Sequence, residues 1–225
     1  MKNGQVRHLV HHVQRLRRDA LALGLAEPAV ETIQRAFTEL AHAEFGATEG
    51  IVRLAACELG GGGAVLIGTP RPVGKEPEAW TALTAPFQHP GPTSPVGLKL
   101  HPQGAFERAR SLSIARGTDE TILFDSAGRL VEGARSNLLV VGARGELRLP
   151  DRALGAVAGI ALEVLSGQPI EAKPAEIGVR EVAEARELIA VNAVRGAVPI
   201  TLLDGRQIAD GRPGPWSERL RALLG

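Results

Sequence analysis

Tyrosine is absent from this 225-residue chain, and all aromatic residues together make up 3% of it. Any mechanism that needs a phenol is therefore closed, and few platforms remain on which nucleic-acid bases could stack. One cysteine, Cys57, excludes an internal disulfide and reads as a small apolar residue in a strand. Neither sign of charge dominates. The 26 basic and 25 acidic residues leave a formal charge of +1, without the basic excess of a nucleic-acid binder. No apolar run reaches the roughly 18 residues that would suggest a membrane span. The opening Met1-Lys2-Asn3-Gly4-Gln5 lacks the apolar region of a secretory signal. The expectation is a cytoplasmic protein that engages neither nucleic acid nor membrane. A hydrophobic content of 44% is enough to build one large core or two smaller ones.

Lysine is the other scarcity, with four against twenty-two arginines. Lys2 is terminal, Lys75 follows Arg71-Pro72-Val73-Gly74, and Lys173 precedes Pro174. Only Lys99 is framed by small and apolar residues, in Val96-Gly97-Leu98-Lys99-Leu100. An amine so placed loses hydration, its pKa falls, and it becomes a usable nucleophile. Taken alone, the same residue reads more commonly as a strand-end lysine whose ammonium reaches water.

The apolar pattern predicts a helix through Leu9, Val13, Leu16, Ala20 and Leu21 that ends at Gly24. A second helix is expected from about Pro28 to His42. A hairpin follows, with strands 51–59 and 64–67 around the turn Gly60-Gly61-Gly62-Gly63. That turn lacks the Lys-Ser/Thr and the helix of a phosphate loop. A strand over 80–85 is expected to complete a small α+β unit, residues 1–88. The segment 86–98 carries four prolines and two glycines and reads as a linker, so the domain boundary is placed at 89–98. Residues 99–225 then form a larger, strand-rich α+β domain. Its expected helices cover 103–116, 154–165 and 216–224. Its expected strands cover 121–124, 130–132, 137–141, 169–171, 187–191 and 199–202.

On this layout several polar groups stand at strand and helix ends. Glu132, between Val131 and Gly133, is a poorly solvated carboxylate that needs a cationic partner or else protonates. The loop Asn192-Ala193-Val194-Arg195-Gly196 follows a strand, a common place for ligand contacts. Leu154-Gly155-Ala156-Val157 would offer free N–H groups at a helix start, an anion site by geometry. Arg15 is a cation on an otherwise amphipathic helix.

Together these pieces resemble the fold-type IV pyridoxal-phosphate enzymes. That group includes 4-amino-4-deoxychorismate lyase and the branched-chain and D-amino-acid aminotransferases. The matching segments run in family order from His12-x-x-Arg15-Leu16 through Lys99 and Gly117-x-Asp119-Glu120 to Glu132-Gly133-x-Arg135-Ser136-Asn137. They continue with Leu154-Gly155, Asn192-x-x-Arg195-Gly196-x-x-Pro199 and Gly211-x-Pro213-Gly214-Pro215. The 33 positions from Lys99 to Glu132 are also close to the family interval.

The resemblance implies pyridoxal 5'-phosphate as cofactor, joined through its aldehyde to Lys99, which would also move protons at the substrate Cα. Glu132 would pair with the pyridine nitrogen, making the ring an electron sink. Arg15, Ala193 and the N–H groups of Ala156 and Val157 would hold the phosphate. Arg135, ranked first, and Arg195 would bind substrate carboxylates. Relatives usually carry a hydroxyl at the positions of Val157 and Ala193 and often an arginine at Ala158, so side-chain bonds to the phosphate are expected to be fewer here. The family's first strand, which contributes to the active site, is expected to be missing. The stretches 132–137 and 192–196 look closer to the lyases. The implied reaction eliminates pyruvate from 4-amino-4-deoxychorismate to give the folate precursor 4-aminobenzoate, in a homodimer. An aminotransferase for branched-chain or D-amino acids, and a non-catalytic relative, are the alternatives. His8, His11 and His12 lack the further ligands of a tetrahedral zinc site, and no metal is expected.

Overall fold

Apolar residues at three- and four-residue steps fold the start of the chain into α1, Leu9–Ala22, and α2, Val30–Phe45. Both pack against an antiparallel hairpin of β1, Gly50–Leu59, and β2, Gly63–Pro72. Val13, Ile33 and Phe37 form the buried centre, with Val52, Leu54 and Leu66 beside them. A Cβ on Gly50 would stand 2.4 Å from the Phe45 ring, and one on Gly68 would stand 2.5 Å from Leu40. Glycine at both positions lets helix and hairpin approach closely. The computed structural model describes residues 4–59, 63–75, 77–101 and 104–224. The tetraglycine turn expected at Gly60 to Gly63 therefore lies mostly outside the described residues.

The chain divides into two compact units, Met1–Glu76 and Pro77–Gly225. In the second, a mixed sheet of nine strands is found among the described residues, in the order β5-β4-β3-β10-β9-β6-β7-β8 with β11 beside β10. These strands are β3 (Trp80–Thr84), β4 (Glu120–Phe124), β5 (Leu130–Gly133), β6 (Asn137–Val141), β7 (Leu147–Pro150), β8 (Ala172–Ala175), β9 (Glu187–Asn192), β10 (Gly196–Leu203) and β11 (Arg206–Gln207). The helices are α3 (Gly104–Arg116), α4 (Ile160–Ser166), α5 (Val179–Ala183) and α6 (Pro215–Leu224).

Every residue of β4 and β6 is buried, because the sheet is covered on both faces. Leu138 and Val140 join one core with Trp80, Ile122 and Val182, while Leu139 and Val141 join another with Leu165 and Leu220. Alternate side chains of one strand thus serve opposite cores. No helix among the described residues is long and apolar enough to cross a membrane.

The structure corrects four expectations. β3 belongs to the large sheet, where it pairs in parallel with β4 and β10. Its alternating pattern marked a strand, but partners so distant in sequence are invisible locally. The units consequently divide at Glu76 and Pro77, earlier than the 89–98 boundary. The Pro/Gly segment is no linker between bodies, since the chain after β3 runs on beside β4. There Ala85 N–H donates to Ile122 O at 2.9 Å and His89 N–H donates to Phe124 O at 2.8 Å. Proline and glycine marked irregular backbone, which is not the same as exposed backbone.

The third correction concerns the helix expected from Leu154. Residues 155–159 are extended or irregular, and α4 starts only at Ile160 after Gly159. Gly155 adopts a φ of +107°, which ends the short 3-10 turn Arg152–Leu154 instead of opening a helix. The fourth is a set of short elements: β7 and α5 went unforeseen, and the strand expected at 169–171 is β8 at Ala172–Ala175.

Candidate active site

Glu132 sits on β5 opposite Leu123 of β4 and is only 3% exposed. A carboxylate so enclosed must be compensated. Its Oε1 accepts the Val157 backbone N–H at 3.0 Å and lies 3.3 Å from His89 Nε2. Its Oε2 accepts no hydrogen bond among the described residues. Burial pushes the Glu132 carboxyl above the usual range. The hydrogen bonds from His89 and the Val157 N–H, and the Lys99 ammonium, act in the opposite sense. The Lys99 ammonium is thus one of the charges that Glu132 feels.

Local packing links the segments of these two residues, which are 33 positions apart. The irregular turn 155–158 touches both of their segments. Val157 N–H reaches Glu132, and Ala158 N–H donates to Gly97 O at 3.0 Å. Gly97, with φ +91°, brings its Cα so close that a Cβ would stand 3.2 Å from that of Ala158. On the other side of the turn, a Cβ on Gly155 would strike Pro92 at 2.6 Å. The loop 89–99 is thus pressed onto the turn 155–158, and it carries Lys99 two residues past the Gly97 contact. Val131, Leu154 and Ala156 form a small buried cluster beneath.

Two residues of the Glu132 motif act as scaffold. Asn137 Nδ2 donates to Val157 O at 2.9 Å, while its backbone pairs with Val191 of β9. Ser136 Oγ donates to Glu120 Oε2 at 2.5 Å, and Glu120 Oε1 accepts the Thr121 N–H at 2.9 Å. Asn137 therefore ties the turn 155–158 to the strand that leads into the loop at Ala193.

The remaining candidates are distributed as follows. Lys99 is exposed, whereas Gly97 and Leu98 are buried. The dehydration expected of its amine is not supplied by the chain alone. Val157 N–H, expected to meet an anion at a helix start, is instead bonded to Glu132. The N–H groups of buried Ala156 and half-buried Ala193 make no hydrogen bond among the described residues. Arg195 is half-buried at a turn where Asn192 Oδ1 accepts the N–H groups of Val194 and Arg195 at 3.0 and 2.8 Å. The Arg135 guanidinium lies 4.6 Å from the centre of the Trp80 ring, and its Nη2 donates to Asp119 O. That engagement ties Arg135 to the start of β4. Arg15 is half-buried on α1 in the first unit. There burial first, then the charge of Arg15, pushes His12 down to about 3.

The donor set fits pyridoxal phosphate at the ring end. A lysine amine stands in electrostatic reach of a buried carboxylate that has one oxygen engaged and the other unbonded. At the phosphate end the fit is thinner. Two unbonded N–H groups remain, Val157 is otherwise engaged, and Val157, Ala158 and Ala193 supply no hydroxyl or cation.

His89 was not singled out from the sequence. Its only signal was a histidine before Pro90-Gly91 in a segment read as linker, and nothing local announces that Gly91 turns back onto it.

The chain is similar to known proteins in sequence pattern and in fold. A family model described as amino-transferase class IV matches residues 1–203. No curated protein matches the chain. Among solved structures, a provisional 4-amino-4-deoxychorismate lyase of Legionella pneumophila is 16% identical, with a TM-score of 0.85 over 100% of this chain and 87% of that one. A branched-chain aminotransferase of the archaeon Thermoproteus uzoniensis is 25% identical, with a TM-score of 0.81 over 99% and 80%. The pyridoxal-phosphate-bound form of a hypothetical aminotransferase from Mycobacterium tuberculosis is 18% identical, with a TM-score of 0.81 over 99% and 84%. Likeness at such identities is likeness of fold.

Proposed function

Because the chain belongs to the class IV aminotransferase family of pyridoxal-phosphate enzymes, we propose that it is a lyase of that family. On this reading it converts 4-amino-4-deoxychorismate to 4-aminobenzoate and pyruvate. The observation that carries the enzymatic part is the pairing of buried Glu132, its Oε2 unbonded, with a lysine in electrostatic reach. Choice of the lyase branch rests on the stretches 132–137 and 192–196 and on the Legionella likeness.

Bound at this site, pyridoxal phosphate supplies an aldehyde for amine exchange and a ring that draws electrons from the substrate Cα. The chain's own residues do the rest. Glu132 would meet the ring nitrogen through Oε2 and favour its protonated form. Lys99 would hold the cofactor, and, once the substrate amine has displaced it, its freed amine would accept the proton from the carbon bearing that amine. Ala156 and Ala193 N–H groups receive the phosphate, and Arg15 keeps the role the resemblance gives it. Arg135 and Arg195 take the substrate carboxylate, and the Arg135 guanidinium is held over Trp80 and against Asp119 O. The protein works as a cytoplasmic homodimer.

A second reading is an aminotransferase for branched-chain or D-amino acids, favoured by the family description and by the Thermoproteus likeness. Substrate turnover separates the two. The purified protein is mixed with pyridoxal phosphate, scanned for visible absorbance, reduced with borohydride and digested to locate the label. The expected label is on Lys99 and is absent from Lys99→Ala. The lyase releases pyruvate from 4-amino-4-deoxychorismate with no keto acid added. Turnover only when an amino acid and 2-oxoglutarate are both present selects the aminotransferase. Absence of both label and absorbance leaves a non-catalytic relative.

A further inference from the structure

The chain leaving β3 runs beside β4 until His89, whose N–H is held by Phe124 O. Glu132 occupies β5 on the other side of β4, so the two side chains meet across one strand. Both are nearly sealed, with side-chain exposures of 1% for His89 and 4% for Glu132. The Phe106 ring stands edge-on to the imidazole at 5.6 Å. A buried imidazole between these neighbours has few orientations open to it.

Its proton can be placed from the partners alone. Beyond Pro90 the chain turns back through Gly91, with φ +88°, and the Gly91 N–H donates to His89 Nδ1 at 3.1 Å. A nitrogen that accepts a hydrogen bond carries no proton. In the neutral ring the proton is therefore on Nε2, the atom 3.3 Å from Glu132 Oε1. The bond runs from Nε2–H to the carboxylate. A second donor, the Val157 N–H, reaches the same oxygen, which leaves Oε2 as the oxygen able to meet a further donor.

We infer that His89 is a positioning residue for Glu132, locked in its Nε2–H tautomer by the Gly91 N–H so that Glu132 stays ionised and presents Oε2 to the cofactor ring nitrogen. The assignment deepens the functional reading above and rests on it for the identity of the group that Oε2 meets. The hydrogen bond itself belongs to the chain and is testable without cofactor. No proton leaves His89 during turnover. It works through Glu132, and its loss is felt as a loss of charge control at the ring nitrogen.

Two experiments decide the matter. In cofactor-free protein labelled with 15N-histidine, long-range 1H–15N correlation at neutral pH should show His89 with a protonated Nε2 and a bare Nδ1. A proton on Nδ1, a doubly protonated ring or a tautomer average overturns the inference, whatever the protein catalyses. The second experiment compares His89→Leu, which removes both bonds, with His89→Gln, whose amide can still donate to Glu132. Outer-shell partners of this kind are typically worth about 10–100-fold in activity. His89→Leu should lower kcat by that factor with KM nearly constant, and should alter the absorbance of added pyridoxal phosphate. His89→Gln should recover most of both. Equal loss in the two variants, with unchanged unfolding curves, overturns the positioning role. If wild-type protein takes up no pyridoxal phosphate, the functional reading fails, and the tautomer spectrum alone settles whether His89 sets the state of Glu132.

Discussion

Asn137 Oδ1 lies where a Cβ on Gly159 would stand, 1.8 Å from the ideal position. The same side chain holds Val157 O through Nδ2 at 2.9 Å. Gly159 is therefore the space that lets Asn137 hold the turn carrying Val157 N–H to Glu132. Gly159→Ala should push Asn137 aside at a cost of about 1–3 kcal/mol, the range for overpacking. Urea unfolding reads that loss, and titration with pyridoxal phosphate should weaken in parallel. Full stability in the alanine variant would mean that Asn137 is not held as described.

Phosphate grip offers a gain of function. Val157 and Ala193 stand where relatives are expected to carry hydroxyls. A neutral hydrogen bond contributes about 1 kcal/mol, so Val157→Thr and Ala193→Thr should each tighten pyridoxal phosphate binding about fivefold. An absorbance titration measures it. Unchanged affinity in both would remove these two positions from the phosphate site.

Stability should depend on pH through Glu120, which is 1% exposed. Burial pushes its carboxyl up to about 7 from the ordinary 4.5, against the Ser136 and Thr121 hydrogen bonds and the charge of Arg135. Between those values the folded chain binds a proton that the unfolded chain has already released. Stability is thus fully present below the lower value and is lost as pH rises through the window. The loss by about pH 8 should be on the order of 3 kcal/mol. Unfolding free energies at about pH 5 and 8 should show it in wild type and far less in Glu120→Gln. A wild-type minus variant difference that stays flat across that range would refute it.

The closing helix depends on one buried acid. Glu187 accepts the N–H of Trp216 at 2.9 Å and the N–H and Oγ of Ser217 at 2.8 and 2.7 Å. A Cβ on Gly214 would strike its carboxyl carbon at 2.4 Å. The Gly211-x-Pro213-Gly214-Pro215 segment is thus shaped to admit a carboxylate at the start of α6. Glu187→Ala should cost about 2–4 kcal/mol, since bonds to an ionised group are worth about 1.5–3 kcal/mol each and part of that is returned by water. Chemical denaturation with far-UV dichroism tests this, and a loss below half the lower bound would argue against the cap.

Much of this molecule was legible in one dimension. α1, α2, α3 and α6 follow from apolar spacing and end signals, which act within a few turns of chain. The largely apolar stretches of β4, β6 and β9 follow likewise. Lys99 and Glu132 stood out because a rare lysine and a lone carboxylate among apolar residues are anomalies of local composition. What local pattern could not give was membership and partnership. β3 looked the same whether it belonged to the hairpin unit or the large sheet. Residues 86–98 looked like a tether although the chain there runs beside β4 and presses onto the turn 155–158.

The amino-acid order by itself determined which groups are candidates for chemistry, because scarcity and burial preference are properties of the residues and their near neighbours. Folding decided how those groups are wired. Val157 N–H meets Glu132 instead of capping a helix, Gly91 N–H fixes the His89 proton, and Trp80 holds Arg135. The first and last of these contacts join segments far apart in the chain, brought together by strand pairing and glycine-permitted close approach. Such distances exist only once the backbone has closed upon itself.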